Sequence, residues 1–153
     1  MPVVGVISDT HGLLRPEVLR VFRKVDLILH AGDIGSLEVL NALQRLAPVI
    51  AIRGNNDTEA WAKGIPEFKR LSVGGISIFM IHDLKKMETA HDSDGCAVIV
   101  SGHSHKPSIE RRGGILYLNP GGAGPRRFKL PIGVARLTID QSRPAARLIE
   151  FRT

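Results

Sequence analysis

Val3-Val4-Gly5-Val6-Ile7-Ser8-Asp9-Thr10-His11 opens the chain with an uncharged apolar run that passes directly into an aspartate and a histidine. A short continuous run of this kind reads as a buried strand, and Met1 to Ile7 is taken as the first one. From Gly12 the chain opens into a helix over about Pro16 to Lys24, whose apolar positions Val18, Leu19, Phe22 and Val25 recur at helical spacing. A second strand, Leu27 to Ala31, follows after a very short link. Ser36 is placed to N-cap the next helix, which carries Leu37, Leu40, Leu43 and Leu46 on one stripe. Pro48 ends that helix and Val49 to Ile52 forms a third strand. This βαβαβ order implies parallel strands with helices covering the faces.

The pattern changes after Asn55. Thr58 to Lys63 suits a short helix, and Phe68 to Val73 with Ile76 to Ile81 read as strands around the Gly74-Gly75 turn. Asp83 to Gly95 is polar, with room for one irregular helix. Beyond the buried run Ala97 to Val100, the segments Ser108–Arg111, Ile115–Leu118, Gly133–Ile139 and Ala145–Phe151 alternate as strands. Turns at Gly113-Gly114 and around Gln141 to Pro144 join two pairs of them. An α/β first half therefore leads into a β-rich second half. The expectation is one α/β domain over residues 1–153, with two packed sheets and helices outside.

A chain of 153 residues with 43% hydrophobic content is long enough to bury a proper core. Its single cysteine, Cys96, excludes an internal disulfide and reads as a buried thiol. The first apolar stretch is too short for a signal peptide, and nothing approaches the length that spans a membrane, so a cytoplasmic protein is expected. A net charge of +6 favours a partner carrying negative charge. The basic residues are dispersed, however, with no run longer than pairs such as Lys85-Lys86, Arg111-Arg112 and Arg126-Arg127, and only one Trp and one Tyr could stack on bases. That balance suits a small anionic substrate better than a dedicated nucleic-acid binder.

The apolar runs end in residues of one chemical kind. Val3–Ile7 leads to Asp9 and His11; Leu27–Leu29 runs through His30 to Asp33; Val49–Ile52 runs through Arg53-Gly54 to Asn55. Ile76–Ile81 stops at His82, and Ala97–Val100 leads to Gly102-His103-Ser104-His105. In open α/β sheets ligands collect at the carboxyl ends of strands. Asp and Asn also serve as turn and cap residues, and a strand-end His-x-His can be a solvated loop pair. Taken together, Asp9, His11, Asp33, Asn55, His82, His103 and His105 exceed what one transition metal takes from protein and suit two metals with a bridging carboxylate. Neutral imidazole with hard oxygen favours Mn, Fe, Zn, Co or Ni, and the absence of thiolate argues against a structural zinc cage. Two such ions ~3.5–4 Å apart form the clamp used for in-line displacement at phosphorus.

These ordered blocks, Asp9-x-His11, Gly32-Asp33, Gly54-Asn55, a lone His82 and Gly102-His103-Ser104-His105, resemble the signature of the calcineurin-like metallophosphoesterases. The short length and Asn119-Pro120-Gly121 are similar to the small YfcE-like phosphodiesterase branch. The resemblance runs from Val3 to about Gly122. It implies a four-layer αββα sandwich of two mixed β-sheets flanked by helices. It also implies one metal on Asp9, His11 and His105, a second on Asn55, His82 and His103, and Asp33 bridging, with Mn the expected ion and Fe, Ni, Zn and Co the alternatives. The implied activity is hydrolysis of a small phosphodiester by a metal-bridging hydroxide. Asn119 to Gly122 would lie beside the site, where the Gly121 backbone could approach a phosphate oxygen, or would be a tight turn and nothing more.

Three departures from the family pattern bear on activity. Asn56 stands where many relatives have a histidine that protonates the leaving oxygen, and an amide cannot do this. Asp57 keeps its family position, to orient its neighbours or cap the following helix. Ile81-His82-Asp83 replaces the usual Thr-His-Gly, and Asp83 to Gly95 is unusually short, so one wall of the site differs. Gly122 stands where relatives often have Ser. Among other residues, His30 reads as a core histidine or a prop for a ligand rather than a ligand. His91 reads as a solvated loop residue. Trp61 either lines a pocket or packs a short helix. Arg53, beside Gly54-Asn55, is a better phosphate candidate than the basic loop of Arg126, Arg127 and Lys129. The rival functions are a non-catalytic scaffold on the same fold, of which a retromer subunit is a family example, and a nuclease, whose relatives are generally longer. Oligomeric state is open, with a homo-oligomer among the options.

Overall fold

The computed structural model describes residues 1–89 and 95–152. Its first half is the expected alternation: β1 (Val3–Ile7), α1 (Pro16–Val21), β2 (Leu27–His30), α2 (Leu37–Gln44) and β3 (Val49–Ala51). After a 3₁₀ turn at Ala60–Ala62 come β4 (Phe68–Val73), β5 (Ile76–Ile81), a 3₁₀ segment at Leu84–Thr89, β6 (Val98–Val100), β7 (Ser108–Arg112), β8 (Ile115–Asn119), β9 (Ile132–Asp140) and β10 (Arg143–Phe151). The strands form two sheets, ordered β10-β9-β1-β2-β3 and β4-β5-β6-β8-β7. Both are mixed. β1 runs parallel to β2 and β2 to β3, while β9 joins β1 antiparallel. β6 runs parallel to both β5 and β8, and antiparallel β4 and β7 close the edges.

Period-two alternation explains the layering. Val4, Val6, Leu29 and Ala31 point from the first sheet toward Ile78, Met80, Val98, Val100 and Leu118 of the second, and all are fully or almost fully buried. Each of the larger side chains among them contributes roughly 1.5–3 kcal/mol of burial. The other face of the first sheet carries Ile7 and Ile28 against Val18 and Phe22 at α1 and Val39, Leu40 and Leu43 of α2. Over the second sheet, Leu84 and Met87 of the 3₁₀ segment cover Phe79, Ile81, Cys96 and Ile99. The αββα sandwich is therefore present, with its second outer layer thinned to 3₁₀ geometry.

α1 is shorter than its periodicity predicts. It stops at Phe22, whose ring fills the space above Gly5; a Cβ at Gly5 would lie 2.8 Å from it. Ser36 occupies the N-cap of α2 in extended backbone, but its hydroxyl makes no capping bond. Thr58–Lys63 condenses to the single 3₁₀ turn. His91, expected in a solvated loop, lies outside the described residues. Among the described residues no helix is long and apolar enough to cross a membrane.

Candidate metal centre

The strands of both sheets end at one edge of the sandwich, and the chain there continues the strand pairing in curled backbone. The Asp9, His11 and Gly12 N–H groups donate to the carbonyls of Gly32, Asp33 and Ile34 at 3.0, 2.9 and 2.8 Å, extending the β1–β2 ladder past the sheet. On the second sheet, the Gly102 N–H donates to the His82 carbonyl at 3.0 Å. Of the non-glycine residues with positive φ, Asp9 (54°), His11 (45°), Asp33 (55°), His103 (71°) and His105 (61°) all lie in these loops, beside Phe128, Gln141 and Ser142 elsewhere. Asp and His tolerate this region better than most residues, yet each still costs on the order of 1 kcal/mol. Strain concentrated in this way aims side chains rather than stabilising the fold. Gly32, at φ 103°, is required outright, since a Cβ there would come 2.7 Å from His82 Nδ1.

Side chains from four loops converge. Asp9 Oδ2 accepts from the Ser8 hydroxyl at 2.8 Å and from the His103 N–H at 3.0 Å, which leaves Oδ1 for the site. That Oδ1 lies 3.7 Å from His11 Nε2, 3.8 Å from His82 Nε2 and 3.5 Å from His105 Nε2. Asp33 Oδ2 lies 3.3 Å from His82 Nε2 and 3.8 Å from His11 Nε2. Two carboxylates, rather than one, thus sit between the histidines. His82 Nδ1 donates to the Ala31 carbonyl at 2.7 Å, so its Nε2 faces inward. The rings pair as His11 stacked on His105, 5.4 Å between centroids, and His82 edge-on to His103, 5.2 Å.

Asp9 Oδ1, His11 Nε2 and His82 Nε2 are buried and have no hydrogen-bond partner among the described residues. Burying a polar atom unpaired is costly, and three of them aimed at one place are the environment a divalent cation satisfies. Asp9, His11 and His105 form one group with metal-ligand spacing, and Asp9, Asp33 and His82 a second. The electrostatics agree. Burial opposes ionisation of Asp33, but the neighbouring His82 ring and the Asn56 N–H outweigh it and hold the carboxyl well below the usual range. Burial would lower His82, yet Asp33 and Asp9 raise it. Burial lowers His105 in spite of Asp9, with His11 and Arg127 adding to the effect.

Residues 3–142 match the calcineurin-like phosphoesterase superfamily domain. The chain belongs to that superfamily. It is 35% identical over 159 aligned residues to a "probable metallophosphoesterase" of Methanothermobacter thermautotrophicus, covering 96% of this chain and 91% of that one. It is 31% identical over 137 residues to a phosphodiesterase of Methanocaldococcus jannaschii, covering 77% and 82%. A solved structure of an archaeal phosphodiesterase superposes with a TM-score of 0.78 at 25% identity, over 96% of this chain and 99% of that one. Family and donor set together make this chain a metal-dependent phosphoesterase.

The remaining predicted residues of this phosphoesterase fall into three groups. Asn55 and His103 stand beside the converging five, with His103 Nδ1 3.2 Å from Asn55 Oδ1. Asn56 donates to both oxygens of Asp33, through its backbone N–H at 2.9 Å and its amide at 3.1 Å. Arg53 lines a cleft of about 410 Å³ that opens beside Asn55 and His82 toward Lys63, Phe68 and Lys86, and pairs there with Glu67 at 3.0 Å.

The third group is occupied by the scaffold. Buried Asp57 accepts from the N–H groups of Ile34 (3.0 Å), Gly35 (3.1 Å) and Gly54 (2.9 Å). Asn119 donates to the Gly102 carbonyl at 3.1 Å and the Ser104 hydroxyl at 3.2 Å, and accepts the Gly121 N–H at 2.9 Å. That N–H, expected beside a phosphate, is thereby engaged in the turn. A Cβ at Gly122 would fall 2.5 Å from His105 Nδ1, so the serine common in relatives needs His105 to move. Trp61 packs against the helix-side core.

His30 is bonded at both nitrogens. Nδ1 accepts the Gly32 N–H at 3.1 Å, so Nε2 carries the proton and donates to the Thr10 hydroxyl at 3.0 Å, which donates on to the Ile34 carbonyl at 2.7 Å. Burial first, and the His82 charge second, push its pKa down to about 3. Sequence reading missed the Ala31 carbonyl behind His82 and the Ser8 hydroxyl behind Asp9. Both are generic groups whose role exists only in three dimensions.

Proposed function

We propose that the chain hydrolyses a small phosphodiester at two divalent ions, Mn²⁺ being the expected pair. Asp9, His11 and His105 would hold one ion, Asn55, His82 and His103 the other, and Asp33 would lie between them. The observation that carries this reading is the convergence of the buried, unpartnered atoms Asp9 Oδ1, His11 Nε2 and His82 Nε2. The pairing of His11 with His105 and of His82 with His103 supports the same division of ligands. When bound, the ions supply charge neutralisation for in-line displacement at phosphorus and acidify the attacking water.

The chain's own residues do the rest. Asn56 keeps Asp33 an ionised acceptor by donating to both of its oxygens. The Ala31 carbonyl fixes the ring of His82. The cleft beside the site is lined by Lys63, Lys86 and Arg53 together with Glu59, Glu67 and Asp83, and Phe68 offers an apolar surface to one arm of an ester. All seven candidate ligands are present in the sequence, which favours an enzyme over a scaffold.

The test is hydrolysis of bis(p-nitrophenyl) phosphate beside the monoester by chelator-stripped protein reloaded with Mn²⁺, Ni²⁺ or Zn²⁺. The diester should be cleaved only with metal, and Asp33→Ala should abolish cleavage. Inactivity with every metal would overturn the proposal in favour of a scaffold. Cutting of single- or double-stranded DNA in Mn²⁺ would move it to a nuclease.

A further inference from the structure

Asp83 follows His82 directly, at a position where the family resemblance leads one to expect glycine. Its carboxylate is held in place: Oδ1 accepts the Lys85 N–H at 3.1 Å and its carbonyl accepts the Lys86 N–H at 3.0 Å, so Asp83 starts the 3₁₀ segment Leu84–Thr89. Oδ2 is turned the other way, 3.8 Å from Nε2 of His103. The opposite side of the same imidazole faces Asn55, Nδ1 to Oδ1 at 3.2 Å.

These contacts constrain the ring. Both flanking oxygens are acceptors. A neutral imidazole has one N–H, so a proton on Nδ1 would satisfy Asn55 and leave the Nε2 lone pair facing a carboxylate. A proton on Nε2 points toward the Asp83 carboxylate and leaves the Nδ1 lone pair beside the Asn55 oxygen. That second arrangement is stable when a cation takes both donors. Resting on the two-ion reading above, we propose that Asp83 is a positioning residue that holds His103 as the Nε2–H tautomer and so presents Nδ1, with Asn55 Oδ1, to the second ion. The distance of 3.8 Å is longer than a hydrogen bond, so the proposal requires the two side chains to close on each other when the ion binds. A carboxylate behind a ligating histidine fixes its orientation and raises its basicity, and losing one costs ~10–100-fold in metal affinity.

The experiment is calorimetric titration of Mn²⁺ into the stripped full chain, comparing wild type with Asp83→Asn and Asp83→Ser. Each variant retains an acceptor for the Lys85 N–H, so the 3₁₀ start survives. Wild type should take two ions; in both variants the tighter ion should bind unchanged and the second should bind ~10–100-fold more weakly. With Zn²⁺ and ¹⁵N-labelled histidine, His103 should show a coordinated Nδ1 and a protonated Nε2 in wild type, and a weakened Nε2–H signature in Asp83→Asn. Unchanged second-ion affinity in both variants overturns the role of Asp83 and leaves the two-ion reading intact, as does coordination of His103 through Nε2. A wild type that binds a single ion, insensitive to Asn55→Ala, overturns both.

Discussion

Asn56 has two consequences at once. Its amide donates to Asp33 Oδ2 at 3.1 Å, the oxygen that lies 3.3 Å from His82 Nε2, so it tunes the carboxylate proposed to lie between the ions. The same amide has no proton to give a leaving oxygen. General acid catalysis is worth ~10²–10⁴-fold on a leaving group that needs it, so the loss should be selective. Across diesters running from nitrophenyl to alkyl leaving groups, turnover should fall steeply as the leaving-group pKa rises, and Asn56→His should flatten that dependence. Equal rates on alkyl and aryl esters in the wild type would sink the argument. Asp83 shows the limit of sequence reading at this scale. Its departure from the pattern was visible as a changed wall, but the side of His103 that it faces follows from the 3₁₀ start, which no motif encodes.

Loops rather than strands carry the site, and Asp57 is what holds two of them together. Its carboxylate joins the loop after β2, through Ile34 and Gly35, to the loop after β3, through Gly54, and is 4% exposed. Removing it takes the acceptor from three N–H groups, and each unsatisfied group costs ~1–3 kcal/mol. Asp57→Ala should therefore lower unfolding free energy by roughly 3–5 kcal/mol in urea titrations with chelator present, and should weaken metal binding because Asp33 and Asn55 flank those groups. A loss under about 1 kcal/mol would show that the loops hold without it.

Most elements were legible because apolar runs and glycine turns mark strands wherever they are buried. β1, β2, β5 and β6 fall within a residue or two of their expected bounds. α1 was overestimated because Phe22 and Val25 keep helical spacing after the backbone has left the helix, and both are buried anyway. The candidate metal-binding residues stand out because Asp, His and Asn recur at several strand ends at once, the pattern the proposed two-ion site needs. Asn119 and Gly121 stay open between two readings, since a turn that pins the His103–His105 loop and a turn that binds phosphate look alike in sequence.

His30 sits on the helix face of β2, fully buried, and the fold holds it neutral. Its ordinary pKa is 6.5 and in the fold it is about 3. As pH falls below about 6.5, the unfolded chain takes up a proton that the folded chain refuses until about pH 3. Stability is therefore present above that window and is lost on acidification at up to ~1.4 kcal/mol per pH unit, roughly 5 kcal/mol over the whole interval. Lowered His105 acts in the same direction, and depressed Asp33 adds a loss that begins as pH falls into the ordinary carboxylate range. Raised His82 acts against them, contributing stability below its ordinary pKa that disappears as pH rises through its folded value. A domain of this size has ~5–15 kcal/mol in total, so the acid loss from His30 alone consumes a large part of it. Urea unfolding in chelator between pH 7.5 and 4 should show free energy falling with acid. In His30→Asn, whose side chain still accepts the Gly32 N–H but does not titrate, the slope below pH 6.5 should be shallower by about one proton, ~1.4 kcal/mol per pH unit. Identical slopes in the two proteins would mean that His30 is not held neutral by the fold, and that acid acts through the exposed histidines and carboxylates instead.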